Sequence, residues 1–267
     1  MEQGMTVANR VIWVTGASSG IGKALCHVLS AKGARLVLSA RNAEQLDAVR
    51  QSCAHPEQHL VLPLDLTQAE AFQEATDRVL QHFGHLDGLI NNGGISQRSL
   101  AKDTALDVDR RIMEVNYFGA IGLTKTVLPH FLERGSGLFV AISSVSGHVG
   151  TPLRSTYAAS KHAIRAFFDA LRAEVSETQI QVLVACPGYV LTKISYNALT
   201  GDGTPQNALD QAQAEGLSAE ACAEAIVAAI ERGKAEVLIG GKETLAVYLK
   251  RFVPGLWRNM LPKLSTT

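Results

Sequence analysis

Lysine plus arginine and aspartate plus glutamate number 25 each, so this chain of 267 residues carries no excess charge of either sign. A neutral chain gathers no polyanion by long-range attraction, and nucleic acid is not an expected partner. Cysteine is scarce as well: Cys26, Cys53, Cys186 and Cys222 are scattered, with no CxxC pair and no disulfide-dense spacing. Reduced thiols and a cytoplasmic setting are the expectation. No apolar run approaches the ~18 residues of a membrane span, and residues 1–10 lack the basic-then-apolar order of a signal peptide. Neither an exported nor an integral protein is expected. Among eight histidines only His82 and His85 stand three apart, beside Gly84. Without further ligands nearby in sequence they read as a solvated helix end, and no metal is expected.

What is present points to one core. Hydrophobic residues make up 46% of the chain and charged residues 19%, which is ample for burial and too apolar for disorder. A doubly wound α/β sheet of this length is an ordinary single unit, so one domain spanning residues 1–267 is expected. Aliphatic and β-branched runs recur at residues 11–14, 36–38, 60–64, 86–90, 138–142, 181–185 and 237–239. Strands this apolar are buried on both faces, which calls for a seven-stranded parallel sheet with helices on either side. Between the first two runs, Ile21, Ala24, Leu25, Val28 and Leu29 form a helical stripe that stops at Gly33, completing a βαβ unit. Asn42 with Gln45, and Thr67 with Glu70, read as capping boxes. Residues 195–216, rich in turn formers, are long for a loop in a compact domain and read as a lid or binding segment.

The first strand runs into Thr15-Gly16-Ala17-Ser18-Ser19-Gly20-Ile21-Gly22 and then a helix. Glycines there let the backbone approach a pyrophosphate, whose charge is met by amides at the helix N-terminus. Placement after a first strand, inside a βαβ unit, marks this as a dinucleotide site. At the end of the second strand, where NAD-binding proteins place an acid on the ribose, the sequence reads Ser39-Ala40-Arg41. A guanidinium holds a 2′-phosphate through paired charge-assisted hydrogen bonds, so NADP(H) is favoured over NAD(H). Asp65, followed by Leu66, either orients the adenine amino group or starts the next helix.

Tyr157-Ala158-Ala159-Ser160-Lys161 lies in a stretch whose apolar spacing (Ala163, Ile164, Phe167, Phe168, Leu171) is helical. Tyr157 and Lys161 therefore sit one turn apart on one face. A free tyrosine titrates near 10, so acid–base work near neutrality asks for about three units, or roughly 4 kcal/mol. An ammonium about 4 Å away at an effective dielectric near 20 supplies roughly that much. The preceding strand ends in Ser143-Ser144, putting hydroxyls at a strand's carboxyl end, where ligands of open α/β sheets bind and a carbonyl can be polarised.

In this order the pattern resembles the short-chain dehydrogenase/reductase family, on the branch of hydroxysteroid dehydrogenase-like and orphan reductases. The matching pieces are the Thr15-to-Gly22 turn, Asn91-Asn92-Gly93-Gly94, Val115-Asn116, Ser144 thirteen residues before Tyr157, Lys161, and Pro187-Gly188-Tyr189-Val190-Leu191-Thr192. The resemblance implies a Rossmann-type doubly wound fold and hydride transfer between a nicotinamide cofactor and a carbonyl or secondary alcohol. It further implies that Ser144 orients the carbonyl and Tyr157 transfers the proton. Lys161 lowers the tyrosine pKa and holds the nicotinamide ribose, and Asn116 positions a water for proton relay. Gly16, Ser18, Ser19, Gly20, Ile21, Gly22, Arg41, Asp65, Leu66, Asn92 and Gly93 would bind the dinucleotide. Pro187 and Gly188 would pass the nicotinamide, with Val190 and Thr192 contacting its carboxamide. The family usually has alanine where Gly93 stands.

Substrate choice is expected to reside in residues 192–217, in residues 148–154 and in the tail, 244–267. The tail mixes Leu245, Tyr248, Leu249, Phe252, Leu256, Trp257 and Leu261 with Lys250, Arg251, Arg258 and Lys263, broken at Pro254-Gly255. Such a segment closes an active site, packs between subunits, or lies against a membrane interface. The branch suggests a bulky apolar ketone or alcohol. A 3-oxoacyl-thioester reductase is the first alternative, and a non-catalytic dinucleotide sensor, which would tolerate loss of Tyr157 or Lys161, the second. The family's two long helices, here around residues 106–132 and 155–175, imply a homodimer or homotetramer.

Overall fold

A computed structural model describes residues 4–263. The strands are β1 (Val11–Thr15), β2 (Arg35–Ser39), β3 (Leu60–Val61), β4 (Gly88–Asn91), β5 (Ser136–Ile142), β6 (Gln179–Pro187) and β7 (Glu236–Ile239). All pair in parallel in one sheet of seven, ordered β3-β2-β1-β4-β5-β6-β7. The order reverses between β1 and β4, which opens a crevice at the carboxyl ends of those strands. The chain follows the strand–helix alternation legible in its sequence, with one shortened edge. The run at 60–64 gives only two strand residues, although Leu62 N and Leu64 N still donate to Leu38 O and Ala40 O, each at 3.0 Å. Pro63 between them has no N–H, which is tolerable only at a sheet edge.

The helices are α1 (Gly20–Ala31), α2 (Ala43–Ser52), α3 (Phe72–Phe83), α4 (Leu106–Met113), α5 (Gly119–Arg134), α6 (Ser155–Glu174), α7 (Gln211–Ala214), α8 (Ala219–Glu231), α9 (Leu245–Phe252) and α10 (Pro254–Met260). Strand periodicity divides them into two layers. From β1, Ile12 and Val14 face a core shared with Leu25 of α1, Leu46 of α2 and Ile226 of α8. Val11 and Trp13 face the opposite core, with Val79 of α3, Val127 of α5 and Phe168 of α6. Trp13 is fully buried, and its indole N–H is satisfied by Ser39 Oγ at 2.8 Å. Burying one such ring contributes roughly 3 kcal/mol, so two filled layers account for a well-determined sheet.

Helix ends show where local signals held and where they failed. Asn42 accepts from Gln45 N at 2.9 Å and caps α2, as its sequence box requires. The Thr67–Glu70 box does not form. Thr67 N and Oγ1 both donate to Asp65 Oδ1 at 2.9 Å, and a 3₁₀ turn, Ala69–Ala71, precedes α3. The aspartate competes successfully for the donors the box would have used. Between α4 and α5 the chain forms a π-helical turn, Glu114–Phe118, that makes the two helices one rod. Among the described residues no helix is long and apolar enough to cross a membrane.

Candidate active site

The phosphate cradle is built by the β1–α1 turn and the end of β4. Gly16 has φ of +64°, and a Cβ there would lie 2.8 Å from Gly93 Cα and 2.9 Å from Asn92 Nδ2, so only glycine fits. Asn92 Nδ2 donates to Thr15 O at 2.9 Å and Gly16 O at 3.3 Å, while Thr15 Oγ1 accepts from the amides of Asn92 and Gly93, each at 3.0 Å. Asn92 is thus a clamp on the turn as well as part of the cleft wall. Ser19 caps α1 without a side-chain hydrogen bond, and the first turn of α1 holds no acidic residue. Its amides and the positive end of its dipole remain available to an anion, a donor set that fits a dinucleotide pyrophosphate.

A cleft of about 1020 Å³ starts at this cradle, where Gly16, Ser18, Ser19, Gly20 and Ile21 line it. It passes Arg41, Asp65, Leu66, Asn92 and Gly93, and reaches Pro187, Gly188, Val190 and Thr192. Gly22, expected to bind the dinucleotide, and Asn116, expected to position a water, do not line it. Gly22 is buried under the turn, where a Cβ would meet Gly16 O at 2.2 Å, so its role is packing α1 against β1. Asn116 lies behind the wall and is buried. Arg41 is exposed at the rim just past β2, whereas Asp65 points one carboxylate oxygen into the Thr67 turn. Gly93, the departure from alanine, has a local cause: a Cβ there would stand 2.6 Å from Leu66 Cδ1.

At the other end of the cleft, helix α6 presents Tyr157 and Lys161, and the segment after β5 presents Ser144. Ser144 Oγ accepts from Ser146 N at 3.1 Å and donates to Pro187 O at 3.2 Å, and Ser144 lines the cleft together with Tyr157. Lys161 Nζ donates to Ile142 O at 2.8 Å and lies 5.8 Å from the centre of the Tyr157 ring. Asn116 occupies the π-helical turn and exchanges hydrogen bonds with Ile95, accepting from its N–H at 2.8 Å and donating to its carbonyl at 2.9 Å. A Cβ on Gly94 would lie 3.1 Å from Asn116 Oδ1 and 3.5 Å from Lys161 Nζ, so Asn116 and Lys161 approach across a gap that glycine leaves. Extra-residue turns of this kind re-aim side chains, and here the turn aims Asn116.

Burial pushes the Tyr157 phenol above its ordinary value, opposed by the Ser144 hydrogen bond and the charges of Arg154 and Arg98. Burial likewise pushes the Lys161 ammonium down to about 8, with neighbouring Cys186 acting in the other direction. Three residues that sequence reading missed hold this geometry. Gln97 Oε1 accepts from the amides of Thr156 at 3.0 Å and Tyr157 at 3.4 Å, capping α6 from a distant segment. Ser143 Oγ donates to Lys161 O at 2.9 Å, and Ser160 Oγ donates to Tyr157 O at 2.8 Å while accepting from Asn116 Nδ2 at 3.0 Å. Gln97 carries no local signal, because its partners are some sixty residues away; the serines flank the motif and were readable as hydroxyls but not as ties.

A second cavity, about 430 Å³, shares Ser144 and Tyr157 with the cleft and runs under the tail. Leu245, Leu249, Trp257 and Met260 form its far wall. Trp257 is buried against Val145 and Val149. One face of the tail lines this cavity, while Tyr248, Phe252 and Leu256 are exposed.

The sequence profile of the short chain dehydrogenase family matches residues 10–202. The chain belongs to that family. It is accordingly an NAD(P)-dependent oxidoreductase, and its relatives extend beyond the matched region. This short-chain dehydrogenase is 44% identical over 263 residues to dehydrogenase/reductase SDR family member 7B of Bos taurus, covering 96% of this chain and 81% of the relative. It is 42% identical over 262 residues to dehydrogenase/reductase SDR family protein 7-like of Drosophila melanogaster, covering 95% and 80%. A short-chain dehydrogenase structure from Streptomyces avermitilis matches with a TM-score of 0.80 and 28% identity, over 95% of this chain and 96% of that one. One from Burkholderia cenocepacia, in complex with NADP, matches with a TM-score of 0.81 and 25% identity, over 96% and 99%.

Proposed function

We propose that this short-chain dehydrogenase interconverts a bulky apolar ketone and its secondary alcohol, using NADP(H) in the cleft and Ser144, Tyr157, Lys161 and Asn116 at the reacting end. The observation that carries the reading is the meeting of the two cavities at Ser144 and Tyr157: a dinucleotide-sized cleft on one side and a largely apolar chamber on the other. A nicotinamide held by Pro187, Gly188, Val190 and Thr192 would supply or accept the hydride at the carbonyl carbon. Ser144 Oγ donates a hydrogen bond to the carbonyl oxygen, and the Tyr157 hydroxyl gives that oxygen its proton in reduction or removes it in oxidation. Lys161, while protonated, would favour the tyrosinate and hold the nicotinamide ribose, and Asn116 behind it would position a water at the start of a proton path. Arg41, exposed at the rim of the cleft, would meet a 2′-phosphate with its guanidinium. NAD(H) is the alternative cofactor.

The same reading covers the assembly and surroundings of the protein. Leu106, Phe118 and Leu132 stand exposed along the α4–α5 rod and support a homodimer or homotetramer built on it and α6. Phe252, 73% exposed, and the exposed Tyr248 and Leu256 stand on a segment that also carries Lys250, Arg251 and Arg258, supporting peripheral contact with an anionic membrane. Four free, buried cysteines suit a reducing cytoplasm.

Fluorescence titration with NADPH and NADH, repeated on Arg41→Ala, tests the cofactor assignment. NADPH should bind more tightly than NADH, and the variant should lose that margin; a wild type preferring NADH would make Arg41 a bystander. A carbonyl panel with steroid, retinal, fatty-acyl thioester and small polar members then tests substrate class, and turnover of small polar ketones alone would sink the apolar reading.

A further inference from the structure

Arg98 and Arg154 line the apolar cavity and pair with Asp210, three charges almost out of contact with water, with side chains 4%, 8% and 1% exposed. They come from three separate segments: Arg98 from the stretch after β4, Arg154 from the residue before α6, and Asp210 from the 192–217 segment just before α7. Asp210 Oδ2 accepts from Arg98 Nε at 2.8 Å, Arg98 Nη2 at 2.5 Å and Arg154 Nη2 at 3.0 Å. Its other oxygen accepts from Gln206 Nε2 at 3.1 Å, and its amide donates to Ser195 Oγ at 3.2 Å. Arg98 Nη1 reaches Ser96 Oγ at 2.8 Å and Gln97 O at 2.5 Å, tying the cluster to the residue that caps α6.

Burying an ion cluster costs several kcal/mol per ion before any attraction is counted, and apolar side chains of similar size generally stabilise as well. Stability alone therefore gives little reason for two guanidinium groups against one carboxylate at this place. Their electrostatic reach does. Tyr157 lines the same cavity as Arg98 and Arg154, and the charges of both oppose the effect of its burial. The other charges around it are Lys161 on its own helix, Asp109 of α4, which accepts from Thr156 Oγ1, Lys242 and Glu243 lining the cavity after β7, and Arg111, Lys193, Arg41 and Asp65 along the cleft.

We propose that Arg98 and Arg154 are positioning residues for Tyr157, held in place by Asp210, which at the same time latches the 192–217 segment over the substrate cavity. The inference rests on the reading of Tyr157 as the proton-transferring group. It gives the site a second source of positive charge, and one that guanidinium groups keep at pH values where a lysine buried as Lys161 is releases its proton. It also couples closure of the substrate segment to acidity at Tyr157, since an open segment carries the counter-ion away.

The test is a tyrosinate absorbance titration of the full chain, taken as the difference from Tyr157→Phe in each background, with hydrogen exchange followed over residues 192–217. Neither readout needs a substrate. Arg154→Met should move the Tyr157 titration up by about half a unit or more, and Asp210→Asn should move it down by a similar amount. Exchange over 192–217 should rise roughly ten-fold in Asp210→Asn and return toward wild type in Asp210→Glu, the equivalent of a weakened latch. A merely structural tie would loosen the segment, hydrate Tyr157 and lower its titration in every variant, so shifts of the same sign overturn the proposal. Unchanged titrations, or unchanged exchange in Asp210→Asn, overturn it too. If Arg154→Met does not fold, Arg98→Lys decides between the outcomes: it keeps the charge and loses the fork, so exchange should rise while the Tyr157 titration stays put, and the reverse pattern overturns the proposal. Wild-type protein that turns over no carbonyl in the panel would defeat the enzymatic reading while leaving the latch measurable.

Discussion

Lys161 and Tyr157 share one face of α6, yet the lysine nitrogen hydrogen-bonds Ile142 O at 2.8 Å and stands 5.8 Å from the tyrosine ring centre. The ammonium is anchored to the sheet, and the phenol, expected to be lowered by it, is held above its ordinary value by burial. That anchoring has a cost, because the group is buried and its pKa falls from 10.5 to about 8.

The sign of the resulting pH dependence follows from linkage. Between about pH 8 and 10.5 the unfolded chain holds a proton on Lys161 that the native protein has released, so native stability rises with pH across that window. Relative to Lys161→Met, the wild type should gain up to about 3 kcal/mol from pH 8 to 10.5. Denaturant melts of the two proteins across this range, without dinucleotide, check it; a difference independent of pH would place the ammonium in a wetter site.

Tyr157→Phe removes the hydroxyl without altering the capped start of α6. Carbonyl reduction should fall by about 10²–10⁴-fold, the usual worth of a positioned acid–base group. Dinucleotide affinity should stay within a few-fold, because the cradle at Gly16 to Gly20 is untouched. Parallel steady-state kinetics and fluorescence titration separate the two effects.

Gln97→Ala leaves the amides of Thr156 and Tyr157 without their acceptor. A loss of about 1–2 kcal/mol in stability is expected from the missing cap. Because the freed turn carries Tyr157, kcat should drop more than KM changes. Gln97→Glu keeps an acceptor but buries a carboxylate and loses the Nε2 donor to Thr104 Oγ1 at 2.9 Å, so it should not restore the stability, which urea denaturation reads directly.

Trp257→Ala opens the far wall of the apolar cavity. KM for a steroid ketone should rise roughly ten-fold, equivalent to losing about 1.5 kcal/mol of apolar contact, while cyclohexanone is affected little. Equal losses on both substrates would show that the tail supports the fold of the site instead of contacting the substrate.

Legibility in the sequence depended on the range of the interaction. The strand runs, the helix stripe ending at Gly33, the Asn42 cap and the glycine turn are decided within a few residues, and the structure contains them all. Thr67 shows the limit even there: Asp65, two residues back, took the donors assigned to a helix cap. Gly93 read as a departure from alanine, yet its space is claimed by Leu66, twenty-seven positions earlier in the chain.

The sequence by itself determined the class of fold and the chemistry on offer, because apolar periodicity selects buried parallel strands and because Ser144, Tyr157 and Lys161 carry their groups wherever they are placed. Tertiary structure alone decided what surrounds them. The Gln97 cap, the π-helical aim of Asn116, the Arg98–Asp210–Arg154 cluster and the Trp257 wall each join segments separated by tens of residues. Such contacts follow from how the two layers and the tail pack, and no local spacing encodes them.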